Sequence, residues 1–466
     1  MMWRLYSHVA PTGSRLYRRL VIGGAPKLLT LCLLTSAFPA PSQTWLPDEA
    51  EAVIHYDSND DLQDPVAVLK RRLEKHEVKL KFEKDRGYLA SLLHALQIPP
   101  SSQALVFSKT SSQADWTSGR TPRALYFNDQ VYVGWAPNAP QLDLVSVDPK
   151  KGPIFYVLNQ VPQGLPAFSR PASCATCHQT GKTLFWPGLV ARSIHTASDG
   201  TPLSREVSFS LGHETPLSAR WGGWYVTGTL GRLAENGGHL GNLFTADPDY
   251  RSQLARSVGS DPGDLNGLIE TARYLAPSSD VVALLVFEHQ ARLHNLLTQA
   301  NYETRLSLAH DAGRNEGLPP PGGISSGKPP RLSAEAQYRI EQTGERLLDY
   351  MLFRHEALLE GPVRSSNRFS EDFARGGPRD RRGRSLRELD LKSRLFRYPC
   401  SYLIYSPAFD ELPQVLRNYL WQRMAQILTG RDQSEPYGTM PASDRAAVLE
   451  ILLDTKPEFK NFCPSG

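Results

Sequence analysis

Cys174-Ala175-Thr176-Cys177-His178 constrains this 466-residue chain more than any other stretch. Two thiols lie three positions apart, and an imidazole follows the second at once. A structural zinc site needs a second ligand pair beside such thiols. Cys400 and Cys463, the other cysteines of the expected mature chain, stand far apart in no similar motif. A thioredoxin-like redox pair wants a strand–helix–strand frame. Nothing before Cys174 reads that way, and His178 would then be incidental. A covalent porphyrin gives each of the three residues a task. The thiols form thioethers with its two vinyl groups, and the imidazole ligates the iron from one face.

On these residues the chain resembles a c-type cytochrome. The resemblance implies one covalent haem c on Cys174 and Cys177, with His178 as axial iron ligand. It covers about five residues, so it names a cofactor and leaves the reaction open. More loosely, the whole resembles large exported bacterial proteins with a single haem-c motif. Electron transfer to a redox protein partner is the first expectation. The alternative is a haem-c oxidoreductase, peroxidase-like or oxidising a small molecule, with an open distal iron site. A haem-based sensor is a third.

The N-terminus points to export. Arg4, Arg15, Arg18, Arg19 and Lys27 precede an apolar run from Leu28 to Phe38, followed by small residues. That is the layout of a signal peptide, here residues 1–42, with cleavage expected after Ser42. The run is too short to span a bilayer. Arg18-Arg19 suggests a twin-arginine leader. That route usually carries folded proteins, so the general secretory route fits haem attachment better. Leu31 argues against a lipoprotein site at Cys32. Export implies a periplasmic protein. The leader holds five of the 52 basic residues and no acidic one, leaving 47 against 48. No charge-based case for nucleic acid or a membrane surface survives. No later segment is apolar enough to span a membrane.

The chain divides into an α+β region (43–160), a haem c region (161–310), a Pro/Gly-rich linker (311–331) and a helical C-terminal region (332–466). Apolar spacing predicts helices across 48–100. His76 and His94 there read as surface or packing residues. Ala104–Phe107, Ala124–Phe127, Val131–Trp135, Leu142–Val147 and Ile154–Leu158 read as strands of a small antiparallel sheet, with a hairpin at Asn128-Asp129. Further helices are expected at Leu265–Leu275, Val281–Leu306, Ala334–Leu359, Ser385–Phe396, Leu412–Leu428 and Ser443–Leu453. The fold class is therefore α+β, with a loop-rich haem region and a mostly helical C-terminal half.

The block from Arg220 to Thr229, with Trp221 and Trp224, reads equally as haem-pocket wall or as core, and Arg220 could pair with a propionate. Candidates for the distal side of the iron are His239 first, then Met440, with His213 and His195 behind; no such ligand at all is the remaining option. His239 follows the tryptophan block in a glycine-rich loop. Thr439-Met440-Pro441 looks like the Met-Pro turn of small c-type cytochromes, but far beyond the usual spacing. His289 and His294 are five apart, which argues against a joint metal site; either alone could face a haem. Six arginines between Arg375 and Arg387 read as a solvated loop or as a docking patch for an acidic partner. Parity in an oxidising compartment pairs Cys400 with Cys463.

Overall fold

The computed structural model describes residues 45–197, 199–203, 208–230, 265–316 and 332–463. Its sheet is a six-stranded antiparallel meander in chain order: β1 (Ala104–Val106), β2 (Arg123–Phe127), β3 (Val131–Trp135), β4 (Gln141–Asp148), β5 (Gly152–Asn159) and β6 (Phe168–Ser169). Local turn chemistry sets its register. Asn128 Oδ1 accepts from Gln130 N and Val131 N at 3.0 and 2.9 Å, which closes the β2–β3 hairpin. Asp148 Oδ1 does the same for Lys150 N and Lys151 N, and Gly152 takes φ +66° to begin β5.

The two faces of the sheet differ. Tyr126, Val133, Trp135, Leu142, Leu144 and Leu158 are buried in one core with α1 (Pro65–Glu74) and α2 (Leu89–Ala95). Asp64 caps α1, accepting from Val66 N and Ala67 N. On the opposite face the register aligns Leu125, Gly134, Asp143 and Val157, then Phe127, Tyr132, Val145 and Phe155. This face is only partly covered: Leu125, Asp143 and Val145 remain half-buried.

A long helix, Val281–Glu316, packs on that second face, its Phe287 ring 5.7 Å from Phe127 and 5.9 Å from Tyr132. Val281 to Phe287 are buried on all sides, as in a helix at the centre of a core. Asp280 starts it. One carboxylate oxygen accepts from Val282 N and Ala283 N, and the other from Ser365 Oγ, Ser366 N and Ser366 Oγ. Around its far side lie the helices Ala334–Met351, Gln414–Leu428 and Ala442–Thr455. The described residues, from 45 onward, belong to one compact unit. Among the described residues, no helix is long and apolar enough to cross a membrane.

Three expectations are corrected. Residues 265–275 make a turn with one 3-10 segment, Thr271–Arg273, instead of a helix. The Arg86 guanidinium takes the carbonyls of Ala272, Arg273 and Tyr274, so those groups are used outward. Ser385–Phe396 is not helical either. Asp390 accepts from Lys392 N and Ser393 N, a local side-chain bond that competes with a helix, and Leu389 bridges back to Phe396. The long helix also continues through 311–316, residues expected to begin the linker.

The expected Cys400–Cys463 disulfide is absent, and both residues are free thiols. Cys400 is fully enclosed where the chain turns from Tyr398 to Ser401, whereas Cys463 ends the last 3-10 turn and is half-buried. Alkylation of denatured, unreduced protein should therefore label both peptides; a linked peptide in mass mapping refutes this. Asp280→Ala should cost about 2 kcal/mol or more in urea unfolding, because it removes a cap and strands the groups bound to it.

Candidate functional site

Strand β6 delivers the chain to Pro171, a 3-10 turn at Ala172–Cys174, and a single helical turn at Ala175–His178. Cys174 is half-buried against the N-terminal core and Cys177 is exposed; both thiols are free. Burial pushes the Cys174 thiol up to about 11. Among the described residues no group of three or more His, Cys, Asp or Glu side chains gathers as a metal site, so no second ligand pair of the zinc kind joins these thiols.

His178 is held from two sides. Its ring lies 4.5 Å from that of Phe155 on β5, and its Nδ1 is 2.9 Å from the Gly188 carbonyl oxygen. A carbonyl can only accept, so Nδ1 carries the hydrogen and the neutral ring keeps its lone pair on Nε2. Burial lowers the imidazole pKa to about 4, so the ring is neutral near pH 7. Gly188 N donates back to the His178 carbonyl at 2.8 Å, and Thr183 Oγ1 reaches the same oxygen at 3.2 Å. The long helix clamps this loop: Asn295 Oδ1 accepts from Leu189 N at 2.7 Å, and Asn295 Nδ2 donates to Leu189 O at 2.8 Å. A Cβ on Gly188 would sit 2.7 Å from Asn295 Oδ1 and 2.8 Å from Thr183 Cβ, so only glycine fits.

This donor set can hold a haem c. Two free thiols stand three residues apart across the 3-10 turn and the helical turn that follows it, and an imidazole is fixed in the tautomer that ligates iron, its other nitrogen tied to a carbonyl. The half-covered sheet face beside Phe155 offers apolar surface at Val145 and Leu125. The Arg123–Asp143 pair, 3.1 Å apart, lies within electrostatic reach of His178.

The chain matches no family model, no curated protein and no solved structure.

The other site candidates are placed as follows. His239 lies outside the described residues. His213 has both ring nitrogens engaged, Nδ1 with His289 Nδ1 at 3.0 Å and Nε2 with the Arg354 carbonyl at 3.3 Å. Met440 is 3% exposed and packs in the larger core, while Cys174 and Phe155 belong to the smaller one. His195 is half-buried between β7 (Arg192–Ile194) and Thr196. The tryptophan block is core: Trp221 is fully buried and donates from Nε1 to Glu288, and Trp224 Nε1 donates to Arg192 O at 2.7 Å. Arg220 is committed to Glu288 at 2.7 Å and is not free for a propionate. Each guanidinium of the 375–387 loop meets a carboxylate of this chain, among them Asp454 for Arg381, Glu450 for Arg382 and Arg384, and Asp129 for Arg387. Arg375 and Arg379 are likewise paired, with Asp372 and Glu388. The docking-patch reading of that loop loses its free charge.

Sequence reasoning missed a buried polar network. Ser401 donates to His289 Nε2 at 2.8 Å, His289 Nδ1 donates to His213 Nδ1, and His213 Nε2 donates to Arg354 O. That order satisfies every ring nitrogen with both rings neutral. The rings lie flat between Tyr350 and Phe353. The one hint in the sequence was the polar run Glu288-His289-Gln290 inside an apolar helix. Burial lowers His213 to about 3 and His294 to about 4. The unfolded chain therefore binds protons near pH 6.5 that the folded chain refuses. This stability is fully present above pH 6.5 and is lost as pH falls toward 4, by at most about 1.4 kcal/mol per pH unit per histidine. Urea unfolding at pH 7, 6 and 5 should show that slope, and His213→Gln should reduce it; a pH-independent stability over this range refutes the assignment.

Proposed function

We propose that this chain is an exported c-type cytochrome that carries one covalent haem and passes electrons to a redox protein partner. The observation that carries the reading is the pairing of two free thiols at Cys174 and Cys177 with His178, whose Nδ1 is tied to Gly188 so that Nε2 is presented. A haem held there supplies a reversible one-electron couple. The chain's own part is to fix and shelter the axial nitrogen. Gly188 sets the tautomer, Phe155 covers one side of the imidazole, and Asn295 holds the loop that makes both possible. The leader supports a periplasmic location, where such haems are attached.

One observation favours the second reading, a haem-c oxidoreductase with an open distal iron position. A pocket of about 360 Å³ opens just beyond the motif, lined in part by Gly181 and Lys182. That volume lies in the range of small-molecule sites.

Protein matured in a host competent for haem attachment should keep its haem through acid–acetone extraction, and Cys174→Ala with Cys177→Ala should lose it. Complete extraction of haem from the wild type refutes the proposal. A low-spin spectrum unmoved by carbon monoxide supports the carrier; a high-spin, carbon-monoxide-binding iron supports the oxidoreductase. Gly188→Val should open the His178 clasp and lower haem content several-fold at unchanged expression.

A further inference from the structure

The pocket beyond the motif is unusual in its charge. Lys182 and Arg292 line it with Ser208 and Ser210, Leu184 and one carboxylate, Glu214. Among the described residues Lys182 Nζ reaches only the Ser208 hydroxyl, at 3.1 Å. Arg192 stands directly opposite Ser210 in the β7–β8 (Ser208–Ser210) pair, so its side chain leaves the ribbon on the pocket-lining side. Burial, and after it the nearby Arg192 charge, lower the Lys182 pKa, and burial lowers that of Arg192. Among the described residues, neither the Arg192 nor the Arg292 guanidinium makes a hydrogen bond or ion pair. The six arginines of the 375–387 loop each meet a carboxylate, and Arg86 and Arg305 spend their guanidinium on backbone carbonyls. Lys182 and Arg292 in the lining and Arg192 beside it put three half-buried cations near one open pocket, with Glu214 the single carboxylate among its described lining residues, a local excess of positive charge.

We infer that Lys182, Arg192 and Arg292 form a binding site for a ligand bearing one or two carboxylate groups. Arginine forks and serine hydroxyls suit such a group, the fork by paired N–H donation. Leu184 and Leu211 give the ligand's carbon part an apolar side. Two sources supply this chemistry: a separate small dicarboxylic acid, or the carboxylates of a haem attached at Cys174 and Cys177. The inference itself does not depend on the haem reading.

The test compares the purified exported protein with the Lys182→Gln/Arg292→Gln variant. Both positions are half-exposed, so the variant should fold, and its circular dichroism melt checks this. Each protein is titrated with succinate by calorimetry, and the midpoint potential of any haem is measured from pH 5 to 8. Saturable succinate binding that weakens at least ten-fold in the variant supports a separate ligand. No succinate binding, but a lower midpoint potential with altered pH dependence in the variant, supports the haem carboxylates. Succinate binding that the variant leaves unchanged, or no change in either measurement, overturns the inference. A chain that carries no covalent haem fails the haem proposal and leaves the succinate titration to decide this one.

Discussion

The buried polar residues of one helix hold this molecule together. A helix enclosed by core must find partners for every polar side chain it takes inside. In Val281–Glu316 five of these residues reach out to other segments of the chain. Glu288 takes Arg220 and Trp221, His289 takes His213 and Ser401, and Gln290 takes the β2–β3 turn together with Tyr132 and Tyr402. His294 binds the Asp129 carbonyl, and Asn295 binds the loop behind the cysteine motif. Apolar packing would let these segments slide; directional bonds at one register each do not.

The Glu288–Arg220 pair shows the cost of this plan. Both side chains are almost fully buried, and burial raises the Glu288 pKa to about 7 even beside a guanidinium. A buried pair of this kind contributes little net stability, but removing one partner strands the other. Its value lies in placing the Arg220–Trp224 block, where Trp221 takes φ +64° and Gly223 φ +81°.

The sheet was legible in the sequence because its causes are local. Alternating apolar residues and the Asn128 and Asp148 turns fix strands and register within a few residues of each other. The motif was legible for the same reason. Residues 265–275 and 385–396 were misread because their apolar spacing is helical while their backbone groups are claimed by Arg86 and by Asp390. The His213–His289–Ser401 chain was illegible because its members are 76 and 112 residues apart. Parity of cysteines misled for a related reason: it counts thiols without regard to what encloses them, and Cys400 is sealed in by Tyr398, Tyr402 and their neighbours.

The clamp on His178 comes from Asn295, 106 residues downstream of the Leu189 it grips. A chain emerging from its N-terminus therefore exposes the cysteine motif long before the clamp exists. Once folded, the Cys174 thiol is half-covered and held protonated well above its free value. The nucleophile in thiol chemistry is the thiolate, so closing the fold silences this cysteine. Order of events is thus written into the architecture: the Cys174 thiol is most reactive while the C-terminal half is still arriving, before Asn295 of the long helix fixes the loop behind the motif.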